Sequence, residues 1–304
     1  MIQPDLSVRV GSLMLVNPVL CASGCFGYGI EEPLAAARLG GIVTKTITLE
    51  PRSGNPLPRI VETPAGLLNS IGLQNVGVAR FLTEKLPALR ELNVPIVVSV
   101  GGRNADEFDS VVSRMDEAPG IAAYELNISC PNVKEVGVEF CQVPSSAVAV
   151  VSRIRKRTQR PIWAKLSPNV TWIGALARAC EEAGADAITA INTFVGMAVD
   201  LKRRRPRLPG VTGGLSGPAI HPLALARVRE VVREVRIPVI GVGGIISGHD
   251  ALEFLLLGAR AVQVGASHFL RPDQGGLIVE EISRFLSEEG IASVEEWIGT
   301  LKED

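Results

Sequence analysis

Short, almost uninterrupted apolar runs alternate along the whole chain with longer runs whose apolar positions recur every three or four residues. Eight of the short runs read as strands: Pro18–Ser23, Gly41–Thr48, Ile96–Gly101, Tyr124–Ser129, Ile162–Leu166, Ala187–Asn192, Val239–Gly243 and Ala261–Gly265. They lack the in–out alternation of a half-exposed strand, as expected where both faces of a parallel strand are covered. Helical spacing fills the gaps, at Glu31–Leu39, Val78–Leu92, Asp106–Glu117, Ser145–Thr158, Trp172–Ala183, Leu223–Val235, Asp250–Leu257 and Gly276–Glu288. In the fourth of these, Ala147, Val150, Val151 and Ile154 share one face. Thr171 and Ser247 are the candidate N-caps. Strict alternation predicts an α/β fold, a (β/α)8 TIM barrel, as a single domain over residues 1–304. The competitor is an open doubly wound sheet, but no GxGxxG run follows the first strand.

Three connections are too long for plain turns: Leu49–Gly77, Cys130–Pro144 and Phe194–His221. In a barrel they leave the C-terminal ends of strands two, four and six, the face on which barrel enzymes build their sites. Polar residues cluster at the same ends: Ser23, Lys45, Thr46, Ser99, Asn127, Cys130, Lys165, Asn192 and Thr193. Gly243-Gly244 and Gly265-Ala266 end the last two strands, and Gly213–Ala219 adds a third glycine-rich stretch. Bare backbone N–H groups ahead of a helix start suit a phosphate dianion.

Lys45 and Lys165 each close an apolar strand. Aimed into a barrel mouth, each needs an anionic partner; the plainer alternative is a lysine turned to solvent. NISCPN, Asn127–Asn132, puts two asparagines beside a cysteine. The amides can hold a planar amide or imide, and Cys130 can be a nucleophile, a general base or an inert buried thiol. The three histidines, His221, His249 and His268, lie elsewhere in the sequence, which disfavours a Cys/His hydrolase. NSIGLQN, Asn69–Asn75, offers Asn69 and Gly72 to the same ligand.

Composition narrows the classes. Hydrophobic residues make up 46% of the chain but aromatics only 4%, so the core is aliphatic. A net charge of −1 supplies no field for nucleic acid or an anionic membrane. The basic run Lys202–Arg207 has no aromatics nearby for base stacking and reads as a solvated loop or subunit contact. Five cysteines, without CxxC or zinc spacing, read as reduced thiols of a cytoplasmic protein. Neither a signal peptide nor an apolar run of about 18 residues is present.

The runs NPVLCASGCFGYG, VTKTIT, GNPLPR, NSIGLQN, NISCPNV, AKLSPNV, INT, GGLSGPAI, GVGGI and VGAS, in that order from about Asn17 to Phe269, resemble class 1 dihydroorotate dehydrogenases. ASGCFGYG, SCPNVK and INT…GGLSGPAI are most similar to the NAD-linked subtype (class 1B), catalytic subunit. The resemblance implies an FMN-containing barrel that oxidises dihydroorotate to orotate in de novo pyrimidine (UMP) biosynthesis. It implies Cys130 as the base at carbon 5 and Lys165 beside the flavin N1/O2 edge. Lys45 would touch flavin and substrate. Asn69, Ile71, Gly72, Leu73, Asn127, Asn132, Asn192 and Thr193 would hold the orotate ring. FMN would be bound by Ser23, Lys45, Thr46, Ser99, Asn127, Lys165, Ile191, Gly217, Gly243, Gly244, Gly265 and Ala266. A partner subunit with FAD and a [2Fe–2S] cluster would carry electrons to NAD⁺, in a heterotetramer built on a homodimer of catalytic subunits.

Three departures stand out. Ser99 replaces an expected asparagine, Cys21 a usual proline, and Phe140-Cys141-Gln142 a glycine-containing turn. Two alternatives stay open. A fumarate-linked (class 1A) enzyme would act without a partner, and a non-catalytic phosphate-ligand-binding barrel would be colourless.

Overall fold

A computed structural model of the chain describes residues 3–129 and 144–303. Its centre is a closed barrel of eight parallel strands: β1 Val19–Cys21, β2 Gly41–Val43, β3 Ile96–Val100, β4 Ala123–Asn127, β5 Ile162–Leu166, β6 Ala187–Ala190, β7 Val239–Val242 and β8 Ala261–Val264. Each strand pairs with the next in sequence, and β8 closes on β1 with Val262 opposite Val19. Every apolar run read as a strand overlaps one of them, and only the fourth strand starts outside its run, one residue earlier at Ala123. The open doubly wound sheet is thereby excluded.

Except for β5, the strands are shorter than the runs because the chain leaves the ladder where polar rim residues begin. In the second run the hydroxyl of Thr44 accepts the Ser99 N–H at 3.2 Å, and the Lys45 N–H turns to the Gly27 carbonyl. Pairing resumes only at a single bridge, Ile47 with Val100. The interruption brings Lys45 to the barrel mouth.

Helices lie at Pro33–Ala36, Gly77–Arg90, Ala105–Met115, Pro144–Arg157, Ile173–Glu182, His221–Glu234, Gly248–Leu256 and Gln274–Glu288. The first is much shorter than Glu31–Leu39, because Pro33 fits only a first turn and restricts the residue before it. Gly77–Arg90 contains a π turn at Phe81–Lys85, just before Pro87, which has no N–H to donate. Apolar faces turn inward: Phe108, Val111, Val112 and Met115 of the third helix are all buried.

Ser247 caps its helix as expected, and Thr171 does not. The Ser247 hydroxyl accepts from the Asp250 N–H, and the Asp250 carboxylate accepts from the Ser247 N–H at 2.9 Å, a complete capping box. At the other start the chain enters the helix one residue later, with Trp172 at the cap position. Glu230 of a neighbouring helix accepts the Gly174 N–H instead, at 3.1 Å. Asn104, which the sequence reading passed over, caps Ala105–Met115 by accepting from Glu107 N–H. Ser247→Ala is expected to lower stability by about 1 kcal/mol. Denaturant unfolding of the two proteins checks this, and equal midpoints would contradict it.

The long connections after β2 and β6 are not loops throughout. They build a four-stranded antiparallel sheet from Phe194–Met197, Thr212–Ser216, Gly66–Asn69 and Ile60–Thr63, in that spatial order. This sheet carries Asn69 to the barrel mouth, where its side-chain amide donates to the Gly214 carbonyl at 3.2 Å. The basic run Lys202–Arg205 lies exposed beyond it. Among the described residues no helix is long and apolar enough to cross a membrane.

Candidate active site

A cavity of about 340 Å³ opens at the C-terminal ends of the strands. It gathers nearly all the residues singled out above. Ser23, Lys45, Thr46, Asn127, Lys165, Ile191, Asn192 and Thr193 arrive from strand ends, and Asn69, Ile71, Gly72 and Leu73 from the long second connection. Gly217, Gly243, Gly244, Gly265 and Ala266 form the opposite end. Ser99 is not brought there: it is fully buried behind Thr46, hydroxyl to hydroxyl at 2.9 Å. A serine is too short to reach the cavity past that contact. Cys130, Asn132, Gly137, Phe140, Cys141 and Gln142 lie outside the described residues.

One hydrogen-bonded chain runs around the rim. Ser23 and Thr46 share a bond of 3.2 Å, and Asn127 Nδ2 donates to Thr46 Oγ1 at the same distance. Ser129 Oγ donates to Asn127 Oδ1 at 3.0 Å and accepts from Asn192 Nδ2 at 2.6 Å. Asn192 Oδ1 in turn accepts the Thr193 N–H. These bonds hold Asn127 and Asn192 in one orientation. Thr193 owes its place to Gly214, where a Cβ would stand 2.1 Å from Thr193 Oγ1.

Beneath the rim, strands β4, β5, β6 and β8 each send a polar side chain into the barrel interior. Lys165 Nζ lies 3.4 Å from Glu125 Oε1 and donates to Gln263 Oε1 at 3.2 Å. Glu125 Oε2 accepts from Thr189 Oγ1 at 3.1 Å and Gln263 Nε2 at 2.5 Å. Lys165 is thus an ammonium with an internal counter-ion and one side toward the cavity. Among the described residues Lys45 has no such ion-pair partner. Burial lowers its pKa below the ordinary lysine range, Cys25 opposes that shift, and the Arg59 guanidinium adds to it. An anion in the cavity would reverse the trend.

The glycine end has a different chemistry. Gly244 sits at φ +72° against the start of the His221 helix. Among the described residues no backbone carbonyl accepts from the Gly244 or Ala266 N–H. Backbone donors at a glycine-rich end, opening on a cavity that also carries lysines and amides, suit a ligand with a phosphate at one end and a polar ring that takes up negative charge at the other. A phosphorylated flavin fits that division.

The dihydroorotate dehydrogenase family pattern matches residues 5–288. The chain belongs to the dihydroorotate dehydrogenase family. It is 53% identical over 302 residues to "Dihydroorotate dehydrogenase B (NAD(+)), catalytic subunit" of Trichlorobacter lovleyi, covering 99% of each chain. The protein of the same name from Geotalea uraniireducens is 52% identical over 301 residues, 98% of this chain and 99% of that one. Among solved structures, DHODH from Eimeria tenella in complex with ferulenol shares the fold, with a TM-score of 0.80 at 24% identity over 98% of this chain and 88% of that one.

Dihydroorotate dehydrogenases are flavin-dependent oxidoreductases, in keeping with the lysines and the glycine cradle of this member. Two groups of residues escaped the sequence reading. Cys25 lines the cavity; burial raises its pKa, while Lys165 and Lys45 pull it down. The only sequence signal was its place in ASGCFGYG, just past β1. Glu125 and Gln263 form the floor with Lys165. Each stands two residues before a rim position, Asn127 and Gly265, and so on the same strand face. Cys21 is packed between strands, and burial pushes its thiol up to about 12, which makes it inert at neutral pH.

Proposed function

We propose that this chain is the FMN-binding catalytic subunit of an NAD-linked dihydroorotate dehydrogenase, acting as one barrel domain in the cytoplasm. The observation that carries the reading is the division of one cavity into an amide-lined rim, a lysine floor and a glycine-rich end. Dihydroorotate is a flat, imide-bearing carboxylate. Asn69, Asn127, Asn132 and Asn192 match its donors and acceptors in pairs, with Thr193 and the backbone of Ile71, Gly72 and Leu73 completing the edge. Lys45 neutralises charge between substrate and cofactor.

Oxidation to orotate removes a proton from carbon 5 and a hydride from carbon 6. FMN, when bound, supplies the hydride acceptor. Cys130 takes the proton, and Lys165 places positive charge under the acceptor. Ser23, Thr46, Asn127, Ile191, Gly217, Gly243, Gly244, Gly265 and Ala266 hold the cofactor; Ser99 acts only through Thr46. A partner subunit carrying FAD and a [2Fe–2S] cluster would supply the route by which the electrons reach NAD⁺. The assembly is a homodimer of catalytic subunits with two such partners.

The test is stopped-flow mixing of the purified yellow protein with dihydroorotate. Bleaching by the chain alone, with NADH formed only when the partner is co-expressed, is the expected result. Fumarate turnover without a partner would favour the class 1A alternative, and a colourless protein would overturn the flavin reading. At the glycine end, Gly244→Val would drive a Cβ to 2.7 Å from His221 in a left-handed conformation. Strain of a few kcal/mol there should weaken FMN binding at least about tenfold. Fluorescence titration of apo-protein measures it, and unchanged affinity would remove Gly244 from the cradle.

A further inference from the structure

Glu125 is a fully buried carboxylate, and the reaction just described gives it nothing to do. A charge that deep is retained only if it is paired and hydrogen-bonded. Its one cationic partner among the described residues is Lys165, and Thr189 and Gln263 saturate its second oxygen. Gln263 links the two charges by bonding both, its carbonyl accepting from Lys165 and its amide donating to Glu125. The ammonium is thus pulled toward the barrel floor from two strands, on the side away from the cavity.

We propose that Glu125 is a positioning residue that sets how much of the Lys165 charge reaches the flavin. Negative charge delivered above Lys165 must compete with Glu125 for the same ammonium. The carboxylate therefore moderates the pull on the hydride and keeps the cofactor able to pass electrons onward. A floor without it would hold those electrons more tightly. The inference rests on the reading that FMN lies over Lys165.

The test uses the holoenzyme. Glu125→Gln is isosteric and removes one buried negative charge. At equilibrium with a reference dye, the ratio of reduced to oxidised flavin should rise about tenfold, equivalent to about 30 mV for a two-electron couple. A ratio within twofold of the unsubstituted protein, or a shift toward oxidised flavin, would overturn the proposal. The exchange Glu125→Gln with Gln263→Glu moves the carboxylate to the other wall beside Lys165 without changing net charge. It should return the ratio to within about threefold of the original. A purely structural role for Glu125 on β4 would not be rescued this way. Should the single variant fail to fold, the exchanged protein decides alone: a tenfold departure in its ratio overturns the proposal. Failure of the underlying reading looks different, as an unsubstituted protein that lacks FMN or is not bleached by dihydroorotate.

Discussion

Cys130→Ser is expected to slow flavin reduction by dihydroorotate about 10²- to 10⁴-fold at neutral pH, the range that a positioned general base supplies. FMN content should not change, because the glycine end and the lysine floor come from other strands. A thiol ionises near pH 8.5 and is partly available as thiolate at neutrality, whereas a serine hydroxyl is not. The deficit should therefore be largest at neutral pH and shrink as the pH rises. The neighbouring residue supports the assignment. Ser129, the residue before Cys130 in sequence, is pinned between Asn127 and Asn192 by bonds of 3.0 and 2.6 Å. Stopped-flow reduction rates from pH 6 to 10 make the measurement. A rate equal to that of the unsubstituted protein would reject Cys130 as the base.

The barrel was legible because its strands are covered on both faces, so each is a short apolar block, and eight of them alternate with longer stretches of helical spacing. What the pattern could not convey was where a strand stops. Thr44–Thr46 lie inside the stretch read as a strand, yet the Thr44 hydroxyl replaces a ladder bond and turns the chain. The antiparallel sheet over the mouth was hidden for another reason. Gly66–Asn69 and Thr212–Ser216 are short, glycine-bearing and paired across about 145 positions, so no local periodicity marks them.

The site was legible to the extent that strand ends announce themselves. Residues such as Lys45, Asn127 and Lys165 interrupt apolar runs, and the fold explains the interruption by placing all three on one cavity. Ser99 interrupts a run in the same way and yet stops short of it. Whether a rim residue reaches the cavity depends on side-chain length and on what stands in front, here Thr46. Glu125 and Gln263 were passed over because they sit inside strands, where a polar residue looks like an exception rather than part of a group spanning four strands.

Lys165→Met should separate the two tasks that this lysine performs. The variant keeps most of the side-chain volume and loses the charge. Flavin reduction by dihydroorotate is expected to slow about 10²- to 10³-fold, the usual cost of removing one preorganised electrostatic contact to developing charge. Stability is expected to fall as well, by about 3–5 kcal/mol, because Glu125 would remain fully buried without its cation. Adding Glu125→Gln to the same protein removes the stranded carboxylate. Most of the lost stability should then return in denaturant unfolding, while reduction stays slow, since nothing positive lies beneath the acceptor. A double variant that regained its reduction rate along with its stability would show that Lys165 serves the fold alone, and the electrostatic role assigned to it would be rejected.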